Sequence, residues 1–447
     1  MIETIEDVVN FGVNSNGDWI VHVVPVEEDL HPADNLPCIL FIHVISSGKT
    51  YFYSCKHPDS IPKIKLDEFI GKLSESKNKK WALDKKSFSH FFNLQNVYDA
   101  NMCYFLKENT TLDLSEFDTV AHTLVRRNCR NEWGINKIIP IVKHLESFNN
   151  LCEEIIKIIC PVDSQMKMFN NVIIDSLGKL ESNGIFVNRE IFREYFELLP
   201  NKNGMVFSQY NVYTSTGRPS NRFGKVNFAA LQVSNGCRKA FVSRYGNDGK
   251  IVVIDYTAFH PRIICTLTNY NIDVNINIYE YLAKLYFKKT IVDEFDIIES
   301  KKLTFKQLYG GVESKYAHIK YLANLNTYIN NQWDYFKDNG HVLTPIFKRK
   351  ITYKHIIDPS PTKVFNYILQ AVEGEIAISR LQKVMSFLKN KRTMPILYTY
   401  DSLIYDFHNE DGMETIRNIQ NIMSGNGLLP IKTYMGESYQ SAEQVEI

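Results

Sequence analysis

The sequence predicts an α+β chain of several domains, and three observations carry that prediction. The β-branched run Ile251 to Ile254 ends on Asp255, as a strand buried on both faces would. Met394 to Phe407 holds two short apolar runs with Tyr400-Asp401-Ser402 between them, the pattern of a tight hairpin. Elsewhere, apolar residues recur at three and four spacing over long segments. A length of 447 residues suits about three domains, and 44% apolar with 23% charged is ordinary globular composition.

The strand ending at Asp255 holds a carboxylate at the rim of a core element, and the hairpin holds Asp401 at its tip. Two carboxylates so placed can converge on a pair of divalent cations, an arrangement that aligns attacking and leaving oxygens in phosphoryl transfer. An unrelated hairpin with an Asp in its turn would read the same way.

Further segments resolve that choice. Asp255-Tyr256-Thr257-Ala258-Phe259-His260-Pro261-Arg262 resembles the first catalytic motif of the DNA polymerase I family (family A), and Tyr400-Asp401-Ser402 resembles its second. Thr216 to Ser220, Leu231-Gln232 and Arg238 to Phe241 are similar to the segment leading into the first motif. Lys301, Phe305, Tyr309 and Gly310 carry the spacing of the family's fingers helix. Asn366 and Gln370, followed by Glu375-Ile376, match the segment before the catalytic hairpin. These motifs run in the family's order through the C-terminal half.

The resemblance implies an exonuclease-like α/β domain followed by a right-hand polymerase of thumb, palm and fingers, with an antiparallel palm sheet. It divides the chain into 1–110 exonuclease-like, 111–150 helical connection, 151–213 thumb, 214–265 palm, 266–350 fingers and 351–447 palm with the catalytic hairpin. It also implies template-directed addition of dNTPs to a primer 3′-hydroxyl. Two Mg²⁺ ions, with Mn²⁺ able to substitute, would be held by Asp255, Asp401 and the carbonyl of Tyr256. Lys301, Phe305, Tyr309, His260 and Tyr279 would face the nucleotide, Lys301 as a catalytic cation. Arg218, Gln232, Arg238, Arg262, Asn366 and Gln370 would hold the primer-template DNA. Replication partner proteins are left unassigned.

Residues 1 to about 110 are expected to hold strands at Trp19 to Val24, Ile39 to Val44 and Thr50 to Tyr53, a turn at Gly48 and a helix at Leu66 to Leu73. The layout is similar to the family's proofreading exonuclease, but its chemistry is missing. Val23 to Asp29 offers no Asp-x-Glu, and no tyrosine among Tyr51, Tyr53, Tyr98 and Tyr104 has an Asp four residues on. An inactive scaffold is expected, with Glu27, Glu28 and Asp84 as the acids that could contradict it.

Residues 111 to about 200 read as helical, with Ile138 to Phe148 and Met166 to Leu180 amphipathic, Pro140 in a first turn and Gly184 suited to a left-handed cap. Arg126-Arg127-Asn128-Cys129-Arg130 reads equally as a phosphate contact or a solvated face. Net charge is only +1, so a polyanion partner requires segregated charge. Thr214 to Arg244 supplies it, carrying Arg218, Arg222, Lys225, Arg238, Lys239 and Arg244 without one acid.

Four departures from the family pattern matter. Ile297 replaces an Arg, so one triphosphate contact is missing or comes from Lys302 or Lys306; Tyr279 stands where a His is common. His260 replaces the Glu that blocks a ribose 2′-hydroxyl, and Ser402 replaces the hairpin's second acid. A single-subunit RNA polymerase therefore remains an alternative, distinguished by use of NTPs over dNTPs. A non-catalytic primer-template binding protein is the other, opposed by the retained Asp255, Asp401, Lys301, Phe305 and Tyr309.

The eight cysteines lack Cys-x-x-Cys spacing and read as reduced thiols with no zinc site. The acidic N-terminus has no signal-peptide pattern, and no apolar run reaches membrane-spanning length, so a soluble intracellular protein of a bacterium or infected host cell is expected, with no membrane partner. The span between the two Asp residues and the Asn227 to Gln232 variant resemble compact phage-encoded members. Leu429 to Lys432 and Tyr434 to Glu437 resemble the closing palm strand, which implies a complete polymerase domain.

Overall fold

The computed structural model describes residues 17–27, 30–61, 64–112 and 139–447, and the chain divides into two units, Met1–Ser182 and Asn183–Ile447. The Arg126 to Arg130 cluster, Glu28 and Ile138 lie outside the described residues.

In the first unit, β1 (Trp19–Pro25), β2 (Pro37–Val44), β3 (Lys49–Ser54), β4 (Lys80–Ala82) and β5 (Val97–Asp99) form one sheet in the order β3-β2-β1-β4-β5. β1 pairs antiparallel with β2 and parallel with β4. Its apolar run is covered on both sides. Val21, Leu40 and Ile42 pack with Phe69 and Leu73 of α1 (Leu66–Glu75) and Phe88 of α2 (Lys85–Phe91). On the opposite face Phe148 of α4 (Ile141–Ile158) stacks on Phe41, ring centroids 5.1 Å apart. Such two-sided burial is why this strand shows no alternation of polar residues.

Four expectations for this unit need correction. α4 runs through residue 150, where a domain boundary was expected, because its apolar face belongs to the β1–β2 surface; Pro140 is its N-cap rather than a first-turn residue. The single helix expected at Met166 to Leu180 is α5 (Ser164–Met168), a π-helical turn at Phe169–Ile174, and α6 (Asp175–Asn183). The widened turn carries Asn170, whose side chain donates to the Val97 carbonyl (3.0 Å) and accepts from the Asp99 amide (3.2 Å) at β5. Cys103 of α3 (Ala100–Glu108) and Cys160 form a disulfide across a Cα separation of 5.9 Å, whereas Cys38, Cys55, Cys152, Cys237 and Cys265 are free thiols. Packing of α3 near the end of α4 brings the pair together, which spacing in the sequence does not reveal.

The second unit is built on the antiparallel sheet β7-β8-β6-β9-β10, comprising β6 (Gly249–Tyr256), β7 (Met394–Tyr398), β8 (Ser402–His408), β9 (Ile431–Gly436) and β10 (Glu443–Val445). Central β6 is buried throughout its β-branched run. Ile251 and Val253 face a core with Phe228, Phe241 and Ile404, while Tyr256 on the other face donates to the Met423 carbonyl of α12 (Met413–Ser424) at 3.0 Å. Strand periodicity puts Asp255 on the face of Ile251 and Val253, away from α12. α7 (Phe259–Leu267) follows β6, and α8 (Ile278–Phe287), α9 (Glu294–Gly310) and α10 (Lys320–Asn339) follow in turn. The 27-residue α11 (Pro361–Phe387) starts with Ser360 as N-cap and proline at N1, and is buried along much of its length.

Helix α9 starts at Glu294, earlier than Lys301, because Asp293 and Asp296 form a capping box upstream. Gly184 has φ +59°, as its place after α6 requires. Among the described residues, no helix is long and apolar enough to cross a membrane.

Candidate active site

Asp255 is the penultimate residue of β6, with Ser402 opposite it on β8 and Lys432 opposite it on β9. The Thr399–Ser402 turn is closed by the Thr399 amide donating to the Ser402 carbonyl (3.0 Å) and by a 2.6 Å bond between their hydroxyls. Asp401 is held against β6 because the Tyr256 amide donates to its carbonyl at 2.9 Å. Both carboxylates line one open cavity of about 540 Å³, together with Arg218, Arg238, Tyr400 and Ser402.

Electrostatics ties the pair together. Burial first, and then the charge of Asp401, push the Asp255 carboxyl up to about 7, while Lys301 and Lys432 pull it back. Asp401 is also raised, by loss of hydration and then by Glu373, against Arg218 and His260. Two carboxylates that resist ionising side by side need positive charge between or beside them. Oxygen donors, an open cavity and this unmet demand for charge fit a hard divalent cation.

Helix α9 carries three more of the expected residues. Lys301, Phe305 and Tyr309 are spaced by four residues and share a face. Phe305 and Tyr309 rings are nearly parallel, at 5.9 Å and 5°, and Tyr279 of α8 lies 6.4 Å from Phe305. Lys301 Nζ is 5.8 Å from the Tyr279 ring. His260 Nδ1 is 2.5 Å from the Tyr309 hydroxyl, and Asn366 of α11 donates to the Tyr309 carbonyl at 3.4 Å. Burial pushes the phenols of Tyr279 and Tyr309 up to about 12, so both stay neutral rings.

Not every expected residue reaches the site. Arg262 is 5% exposed and gives its guanidinium to the carbonyls of Ile272, Asp273, Val274 and Ile276, so it braces the chain after α7 and is not available to DNA. Leu231 and Val233 line the cavity, but Gln232 between them does not. Arg238 does line it, its Nε donating to the Leu231 carbonyl (2.9 Å) and its guanidinium lying 4.3 Å from the Tyr439 ring. Gln370 is half-buried on α11. Lys302 and Lys306, the substitutes for the Arg missing at Ile297, are paired with Glu299 at 2.6 Å and Glu313 at 2.8 Å.

One buried acid beside these residues escaped the sequence reading. Glu373, on buried α11, sits 2.9 Å from Arg218 Nε and 3.4 Å from His260 Nε2. Its signal was an acid inside an apolar helical run, Ala371-Val372-Glu373-Gly374. Nearby, Glu375 is pushed up to about 7 by burial and accepts from the Phe347 amide at 3.0 Å.

In the first unit the acids have structural work. Asp84 caps α2 by accepting from the Ser87 amide (3.0 Å) and hydroxyl (2.8 Å); Asp99 caps α3 and accepts from the Lys85 amide at 2.8 Å. Glu27 uses its backbone to hold Asn35. His31, His90 and Glu181 cluster within 4.8 Å, which resembles a metal cradle. The Lys86 ammonium already contacts both Glu181 oxygens, at 2.8 and 3.0 Å, and His31 Nδ1 accepts from the Ala33 amide, leaving the proton on Nε2. Burial alone would raise Glu181, but Lys86 and His90 hold it below the usual carboxylate range. The cluster is therefore an ion group already balanced by lysine.

No family profile and no curated protein sequence matches the chain. Among solved structures, the POL domain of Pol1 from M. smegmatis, in complex with DNA primer-template and dNTP, superposes with a TM-score of 0.74 over 99% of each chain at 14% identity. The fold is that of a DNA polymerase domain.

Proposed function

We propose that the chain is a template-directed DNA polymerase that adds dNTPs to a primer 3′-hydroxyl by two-metal nucleotidyl transfer, without proofreading. The observation that carries this reading is the meeting of Asp255 and Asp401 at one cavity, with Lys301 close enough to bias the ionisation of Asp255. The ligands of the structural neighbour, primer-template and dNTP, support the same substrates here.

In the reaction the primer 3′-oxygen attacks the α-phosphorus of the dNTP, a P–O bond forms, and pyrophosphate leaves. Asp255, Asp401 and the Tyr256 carbonyl would hold two Mg²⁺ ions, which when bound lower the pKa of the 3′-hydroxyl and neutralise the leaving pyrophosphate. Lys301 offers a point charge to the triphosphate. Tyr279, Phe305 and Tyr309 present neutral rings on which a base stacks. His260, beside Tyr309, takes the sugar side of the nucleotide. Arg218, Arg238, Asn366 and Gln370 hold the primer-template junction, with Arg262 and Gln232 omitted. The use of Asp84 and Asp99 as helix caps supports a first unit that removes no nucleotides.

The test is extension of a labelled primer on a longer template with Mg²⁺, comparing dNTPs with NTPs. Asp255→Ala and Asp401→Ala are each expected to abolish extension while primer-template binding by anisotropy stays within a few-fold. Undiminished extension by both variants sinks the assignment, and preference for NTPs replaces it with an RNA polymerase-like activity.

A further inference from the structure

Resting on the polymerase reading, we infer that Glu373 is a positioning residue, the hub of a side-chain chain Tyr400–Arg218–Glu373–His260–Tyr309 that ties the turn bearing Asp401 to the helix bearing Lys301. Glu373 is 2% exposed. Packing among Ala371, Val372 and their neighbours asks for an apolar side chain there, since an isolated buried carboxylate is costly. What the carboxylate meets instead comes from two other elements. Arg218 Nη2 donates to one carboxylate oxygen at 3.3 Å, and Arg218 Nε and His260 Nε2 lie 2.9 and 3.4 Å from the other as ion-pair contacts.

Each partner reaches one step further. The Arg218 guanidinium lies 3.6 Å from the centroid of the Tyr400 ring, a close stack on the residue before Asp401. Tyr400 has φ +70°, a left-handed conformation that a tyrosine holds only when its surroundings impose it. On the other side, His260 meets the Tyr309 hydroxyl at 2.5 Å, and Tyr309 stacks on Phe305. One buried charge thus orders the Asp401 turn and the nucleotide wall together.

The backbone is shaped for this arrangement. A Cβ on Gly374 would lie 3.2 Å from the Gly217 carbonyl, so the glycine lets the Arg218 loop rest on α11. From below, Arg349 donates to the carbonyls of Thr214 (2.9 Å) and Ser215 (2.8 Å). With the loop pinned, Glu373 determines where the guanidinium points, onto the Tyr400 ring.

The test uses the full chain and the isosteric Glu373→Gln variant. Hydrogen–deuterium exchange, which needs no activity, should show faster uptake in two separate segments, the end of α9 at Phe305 to Gly310 and the turn Thr399 to Ser402, with α11 unchanged. Unchanged uptake in both segments, or a rise confined to α11, overturns the proposal. In single-turnover extension the maximal rate should fall about 10- to 100-fold with primer-template affinity nearly constant, as misplacement of reacting groups does. Tyr309→Phe, which leaves α11 untouched, should cost less in the Glu373→Gln background than alone; equal costs in both backgrounds overturn the coupling. If the unaltered chain extends no primer, the polymerase reading falls, and the exchange result alone still supports or overturns the hub.

Discussion

Ala258 and Tyr400 hold φ of +51° and +70°, and each lies within three residues of an acid of the site. Non-glycine residues in that region cost about 1 kcal/mol or more each, so packing elsewhere must offset them. For Ala258 the reason is direction: β6 must turn sharply into α7 so that Asp255 stays at the cavity while His260 faces α9. The Asp255 carboxyl shows the cost of that placement. Its value rises from 3.8 to about 7, so between those limits the folded chain holds a proton that the unfolded chain has released. Without divalent cation, stability is therefore expected to fall as pH rises from about 4 to about 7. Melting temperature against pH should show that fall, Asp255→Asn should flatten it, and Mg²⁺ should reverse it near pH 8. A pH profile identical in the variant would remove Asp255 as its source. Asp255 and Asp401 were legible as acids at the ends of apolar runs, whereas Phe305 and Tyr309 were singled out by the family resemblance, their four-residue spacing giving only a shared helix face. Arg262 was misread because nothing in a linear sequence shows that residues 272–276 fold back around its guanidinium.

Elements of the second unit are joined by buried charge as well as by apolar packing. Asp406 of β8 is fully buried and accepts from the Ser243 hydroxyl at 2.6 Å and Arg244 Nε at 2.7 Å; Arg244 then donates to the carbonyls of Asn183 and Gly184. Asp406→Ala leaves that guanidinium without its acid inside the fold. A loss of about 3–5 kcal/mol is expected in urea denaturation. Gly217 is the second weak point, with φ +75° and a Cβ position 2.3 Å from Arg349 Nη1. Arg349 is itself buried and cannot swing clear, so Gly217→Ala is expected to lose about 1–3 kcal/mol by the same measurement. Stability equal to that of the parent would mean that the Arg218 loop is free to move off α11. Helix α9 was legible from its stripe and mislaid at its start, because the capping box at Asp293 is a local polar signal outside the apolar pattern.

Across the whole molecule the formal net charge is only +1, and Arg244 and Lys225 are already paired with Asp406 and Glu197, so the proposed binding of a polyanion falls to Arg218 and Arg238, which line the cavity. Arg218→Ala and Arg238→Ala are each expected to reduce the slope of log affinity against log salt by about 1; an unchanged slope in both would place the phosphate contacts elsewhere. The first unit is expected to shorten no primer, read with the Asp401→Ala chain so that extension does not mask it, and a ladder of shortened products would overturn that. By itself the sequence determined the α+β class and the two strands that carry Asp255 and lead from Asp401, because strand periodicity and helix spacing act over a few residues. Tertiary structure decided the Cys103–Cys160 bond, the continuity of α4 past residue 150, the withdrawal of Arg262 and the placement of Glu373. The physical reason is separation: Glu373 meets Arg218 across 155 residues of chain, and a buried charge is defined only by the partners that folding delivers to it.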